Sequence, residues 1–226
     1  MVSDSVNIFE RAQAVYSRLM DHFGKPEWQK RDALDELILT VLSQNTNDRN
    51  RDLAYEAMRK RYLSWEDVMT ADEAELIDTV RIAGLANQKA PRIQEILRII
   101  QAQEGSLNLA FLERMTAGEV QDWLLSLKGV GLKTASIVMV FSLGMPAFPV
   151  DTHVYRVSGR IGLRNKDISV EKAHTALQAC YFPDQFGDAH MLLIYLGREV
   201  CTARKPACPL CPVKDLCLYE HKTEEG

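Results

Sequence analysis

The stretch Leu127-Lys128-Gly129-Val130-Gly131-Leu132-Lys133-Thr134-Ala135 joins two apolar segments of helical spacing, Val120 to Leu127 and Lys133 to Leu143. Two glycines one residue apart let the backbone reverse tightly and leave N–H groups open at the start of the next helix. Such a turn can hold a phosphate through bare amides and the positive end of the helix dipole. A glycine-containing helix–helix turn with no ligand has the same local pattern. The stretch therefore establishes the turn but leaves its ligand open.

Outward from the turn, helical periodicity recurs and strand alternation is nearly absent. Leu34, Leu37, Ile38, Val41 and Leu42 share one face; Ala54, Ala57 and Met58 share another. The pattern continues over Glu73 to Arg81, Ala90 to Ala102, His153 to Ile161 and Val170 to Ala179. Near the start, Ile8, Ala12, Val15, Leu19 and Phe23 make Met1 to Gly24 an amphipathic helix rather than a secretory signal. Breaks are short and punctuated by Gly24-Lys25-Pro26, Gly84, Gly105 and Pro146, and Ser64 and Thr116 stand where helix caps belong. The prediction is an all-α fold with short connections. The most apolar run, Ala135 to Val150, is too short to span a membrane and is interrupted by Gly144, Pro146 and Pro149. A soluble, cytoplasmic protein with no membrane partner is expected.

The 226 residues carry a net charge of −4. Taken alone, that argues against a nucleic-acid partner, since phosphate binding usually leaves a basic footprint. Net charge averages over the whole surface, though. Arg156, Arg160, Arg164 and Lys166 follow one another with no acid among them, and Arg198, Arg204 and Lys205 come later. A solvated helix face is the plainer reading of these cations.

Asp151, eighteen residues after Lys133, stands in Pro149-Val150-Asp151-Thr152-His153. Asp151 ends an extended, proline-containing segment and precedes a helical pattern, so a plain N-cap is its simplest role. A helix N-terminus also keeps a carboxylate ionised and disfavours an ammonium. Lys133 at one helix start and Asp151 at another are the ingredients of amine nucleophilic catalysis, provided that they converge.

Four of the five cysteines fall within seventeen positions: Cys201, Cys208, Cys211 and Cys217. Thiols packed so closely are expected to hold a metal centre rather than disulfides. Only Cys208 and Cys211 form a Cys-x-x-Cys pair, which fits a tetrahedral zinc site poorly; an iron–sulfur cluster is favoured and zinc stays open. Cys180, alone in an apolar segment, reads as a small buried residue.

Together, the Leu127 to Ala135 stretch, Val150-Asp151-Thr152-His153 and Cys-x6-Cys-x2-Cys-x5-Cys resemble the endonuclease III family of helix–hairpin–helix DNA glycosylases, from about Leu34 to Tyr219. The resemblance implies two helical lobes with DNA in the cleft between them. A six-helix barrel carrying the helix–hairpin–helix would span 28–145, and a discontinuous iron–sulfur domain would be built from 1–27 plus 146–226. It implies a bifunctional glycosylase and abasic-site lyase for oxidised pyrimidines, acting on double-stranded DNA as a monomer. By position, Lys133 becomes the amine that attacks C1′ and Asp151 its carboxylate partner. Gly129 and Gly131 become phosphate binders, the four cysteines hold a [4Fe–4S] cluster, and Arg204 and Lys205 face phosphates.

Two further segments match. Leu42 to Asp48 resembles the segment that fills the gap left by a flipped nucleotide, with Asn45 opposite the usual glutamine and Gln44 beside it. Gly84 to Ala90 resembles the loop whose leucine wedges into the opposite strand, so Leu85 is the expected wedge against the alternative of a buried loop leucine. Lys128, Leu132 and Ala86 depart from the family's common proline, basic and aromatic residues. A monofunctional mismatch or adenine glycosylase is the second expectation, and Lys133 argues against it. A non-catalytic DNA-binding iron–sulfur protein is the third, opposed by Lys133 and Asp151 together.

Overall fold

The structure is a computed structural model that describes residues 7–222. Among the described residues the regular structure is eleven α-helices, four short 3-10 turns and one π-helical turn, with no strand. The opening residues 1–6 of the expected N-terminal helix lie outside the described residues. Two compact units form: Lys30–Met145, and the described residues on either side of it.

The Lys30–Met145 unit contains α2 (Ala33–Ser43), α3 (Asp48–Arg61), α4 (Trp65–Thr70), α5 (Glu73–Thr79), α6 (Ala86–Glu104), α7 (Ala117–Ser126) and α8 (Leu132–Ile137). Helix α2 is buried almost all round, its polar Glu36 and Thr40 included, and packs against α3, α6 and α8. Its buried Leu34, Leu37, Ile38, Val41 and Leu42 share the core with Ile93, Ile96, Leu97 and Ile100 of α6. Ser64 and Thr116 each close a capping box, at α4 and α7. Helix α6 begins at Ala86, upstream of the expected Ala90, and so takes Pro91 into its interior. The pattern hid this start because proline belongs in a first turn, where a missing N–H costs nothing. Helix α8 runs on into the π-helical turn Val138–Ser142, closed by Leu143 N–H on the Val138 carbonyl at 3.2 Å.

The other unit contains α1 (Ile8–Phe23), α9 (Thr152–Ile161), α10 (Val170–Gln178) and α11 (Phe186–Glu199). Helix α11 packs against both α1 and α9. It approaches α9 closely at Gly197, where an added Cβ would lie 3.0 Å from that of His153. Cys180 is buried, its thiol on the Leu163 and Ala176 carbonyls, in keeping with a small core residue.

The arginines after His153 do not form the solvated face that charge alone suggests. Arg156 donates to the Gly197 and Cys201 carbonyls, and Arg160 to those of Thr202 and Ala203. Arg164 is buried over the Tyr155 ring and donates to Ser158 and to backbone carbonyls. These guanidiniums satisfy carbonyls that helix ends and loops leave without partners. Among the described residues no helix is long and apolar enough to cross a membrane.

Candidate functional site

The glycine turn is built as its residues demand. Leu127 caps the end of α7, Val130 N–H closes back on the Leu127 carbonyl at 3.0 Å, and Gly131 caps the start of α8. Gly129 takes φ +80°, open to glycine at little cost, and an added Cβ would collide with the Arg92 guanidinium. Gly131 has φ −106° and open space where its Cβ would go. Both glycines are exposed, and among the described residues neither amide donates a hydrogen bond. Lys133 is half-buried at the second position of α8.

Gly129→Ala is therefore expected to destabilise the protein by about 1–3 kcal/mol through backbone strain and the clash with Arg92. Gly131→Ala, which has neither problem, should melt like wild type. Thermal or urea unfolding of the two variants checks the contrast; equal melting would remove Gly129 from its assigned role in the turn.

Two loops flank this turn in the same unit. Gln44 Nε2 donates to the Gly129 carbonyl at 3.0 Å, and Arg92 Nη1 donates to Gln44 Oε1 at 2.8 Å. Gln44 is thus tied into the turn. Asn45 is exposed, and among the described residues nothing hydrogen-bonds its side chain. Leu85 is 46% exposed, so it is not a buried loop leucine. Asn45 (φ 53°) and Leu85 (φ 51°) are the two non-glycine residues of positive φ among those described. Backbone of this kind costs of order 1–3 kcal/mol and persists where the surroundings over-determine it, often at functional sites.

Asp151 belongs to the other unit. It caps α9, with Oδ1 accepting Val154 N–H at 2.7 Å, while among the described residues Oδ2 accepts no bond. Capping and chemistry are compatible, since one oxygen holds the helix and the other stays available. Two buried imidazoles clamp the segment before it. His174 Nδ1 lies 2.8 Å from the Phe148 carbonyl and His190 Nδ1 2.9 Å from that of Pro149. Burial holds the His174 pKa below its usual value.

Cys201, Cys208, Cys211 and Cys217 all line one pocket, together with apolar Ile161, Leu196 and Val200. Arg160 stands at its edge, Nη1 3.4 Å from Cys201 Sγ and the guanidinium 4.6 Å over the Tyr219 ring. Burial pushes the Cys211 thiol up to about 11 and raises that of Cys217. Any thiol gives up its proton on binding iron. Exposed Arg204 and Lys205 lie on the loop between the first two cysteines.

The profile of the HhH-GPD superfamily of base excision DNA repair proteins matches residues 38–181, and that of the iron–sulfur binding domain of endonuclease III matches 201–217. Endonuclease III of Thermotoga maritima is 34% identical over 86% of this chain and 87% of its own length. The chain belongs to the endonuclease III family. A second family member, from Sulfolobus acidocaldarius, is 29% identical over 84% of this chain and 83% of its own. An Arabidopsis thaliana protein provisionally named a DNA glycosylase is 33% identical over 78% of this chain, which spans 60% of that protein's length. The solved structure of a non-covalent endonuclease III–DNA complex superposes with a TM-score of 0.81 at 29% identity, over 92% of this chain and 94% of that one.

The cofactor of this endonuclease III family member is a [4Fe–4S] cluster, and the donors fit one. Among the described residues no three His, Cys, Asp or Glu side chains converge on a point that would hold a single ion. All four cysteines line one pocket, and a cluster takes one thiolate per iron. Sequence reading missed Arg92, His174 and His190 as supports of the turn and of Asp151. Each acts on residues remote in sequence, and no local pattern marks such a pairing.

Proposed function

We propose that the protein is a bifunctional DNA glycosylase and abasic-site lyase that removes oxidised pyrimidines from double-stranded DNA. One observation carries the reading. Lys133 stands at the start of a helix, two residues past a glycine whose amide, like that of Gly129, has no partner among the described residues. That arrangement sets an amine beside a ready phosphate anchor.

In the proposed reaction the Lys133 amine forms a bond to the sugar C1′ as the C1′–N bond to the damaged base breaks. The bond's electron pair leaves with the base. Asp151, with one oxygen committed to its helix, offers the other to receive the amine's proton and to offset positive charge on the sugar. Ring opening gives a Schiff base; loss of a C2′ proton and departure of the 3′ phosphate then cut the strand by β-elimination. Water releases the enzyme. Asn45 fills the gap in the stack and Leu85 wedges the opposite strand, offsetting part of the few kcal/mol that flipping costs. Gln44, tied to Arg92 and Gly129, braces the turn. Cys201, Cys208, Cys211 and Cys217 hold the cluster, whose contribution is to organise the loop carrying Arg204 and Lys205 toward phosphates.

The test is incubation with a duplex oligonucleotide carrying one thymine glycol. Free base and a strand cut ending in an unsaturated aldehyde are expected. Base release with an intact strand would make the enzyme monofunctional and overturn the lyase assignment.

A further inference from the structure

Lys89 is the largest of the almost fully buried side chains among the described residues, at 1% exposure, and among them its ammonium pairs with no carboxylate. It finds two carbonyls instead. Nζ donates to Leu42 O at 2.7 Å and to Ala83 O at 2.8 Å. Leu42 is the penultimate residue of α2, and Ala83 ends the 3-10 turn Arg81–Ala83. Both carbonyls therefore belong to the orphan set that every helix end leaves, where a cation is also favoured by the dipole.

Each capped end leads straight into one of the two strained loop residues. Asn45 comes three residues after Leu42 and Leu85 two residues after Ala83, and these are the two positive-φ non-glycine residues. Lys89 also holds the second loop through its backbone, its N–H on Leu85 O at 3.0 Å. One side chain thus spans the roots of both loops. Burial, with Arg92 nearby, pushes its pKa down to about 8, so the charge is held at a cost that an ordinary core residue would not incur.

We infer that Lys89 is a positioning residue: its buried ammonium caps both helix ends at once and sets the spacing of the Asn45 and Leu85 loops, so that plug and wedge enter one duplex in register. The inference rests on the proposed insertion roles of those two residues. Lys89 touches no substrate; it acts through the loops.

The test pairs a substrate that must be flipped with one that need not be. Lys89→Met keeps the length and removes both hydrogen bonds. On a duplex carrying thymine glycol, single-turnover excision should fall about 100-fold, the usual cost of a misplacement near 1 Å. Cutting of an abasic site in single-stranded DNA, where nothing is flipped, should keep its wild-type rate. Adding Leu85→Ala to Lys89→Met should cost little more, because the wedge is already misplaced, whereas Leu85→Ala alone slows duplex excision. Melting and the cluster's visible absorbance check the fold, and Lys89→Gln, which keeps a donor for one carbonyl, takes over if the methionine variant does not fold. An unchanged duplex rate, an equal fall on both substrates, or additive losses with Leu85→Ala would each overturn the positioning role. Failure of the underlying reading shows elsewhere, as an inactive wild type or a Leu85→Ala variant with full duplex activity.

Discussion

Lys133→Ala should lose strand cleavage at abasic sites by on the order of 10⁴-fold or more, the scale seen when a covalent nucleophile is removed. Duplex affinity should stay close to wild type. The two effects separate because Lys133 is one half-buried side chain, whereas phosphate binding is assigned to the backbone amides of Gly129 and Gly131, which the substitution leaves in place. Alanine is also a good residue in the first turn of α8, so the helix should persist. The checks are single-turnover cleavage of an abasic duplex and a binding titration at fixed salt, since phosphate contacts make affinity salt-dependent. A variant that still cuts by β-elimination would remove Lys133 from the mechanism; one that loses binding and cleavage in parallel would make it a DNA contact instead.

Cys211→Ala should lose the cluster and with it the order of the chain from Cys201 onward. That segment has little else to hold it. Between Cys201 and Lys222 only Pro206 and Val213 are buried, and the regular structure is the short turn Cys208–Leu210. Backbone links such as Ala207 N–H to Val200 O and Leu218 N–H to Ile161 O tie it down, with the Arg156 and Arg160 bonds to the Cys201, Thr202 and Ala203 carbonyls at its start. We expect iron content and visible absorbance to vanish, melting to fall by roughly 10 °C, as for a loss of several kcal/mol in a protein of this size, and proteolysis to begin in the segment. Cys180→Ala is the control, because that thiol is occupied with the Leu163 and Ala176 carbonyls. Cys211→Ala with unchanged iron would rule this ligand set out.

The fold was legible wherever burial follows a local period. The α2 face, the capping boxes at Ser64 and Thr116 and the glycine turn could all be read from residues a few positions apart. What escaped depends on distance along the chain. Gln44 reaches the Gly129 carbonyl across 85 residues, and His190 reaches that of Pro149 across 41. A run of arginines says nothing about whether it faces water or carbonyls, so Arg156, Arg160 and Arg164 were misread by charge alone. Lys89 did leave a trace: it sits at helical spacing from Ile93, Ile96 and Ile100 on the buried stripe of α6. A lone cation there reads as a flaw in the pattern until the two carbonyl ends above it are seen. For the site itself, residue types and spacing pointed to the chemistry of the turn and the cysteines, while the supports that aim them came from the three-dimensional packing.

Borohydride trapping tests most directly whether Lys133 becomes covalently joined to the sugar. Wild-type protein is incubated with a duplex carrying thymine glycol or an abasic site, reduced, digested, and the DNA-linked peptide sequenced. The predicted result is a single adduct on Lys133, absent from Lys133→Ala. An adduct on Lys128 or another lysine, or no adduct on either substrate, would contradict it.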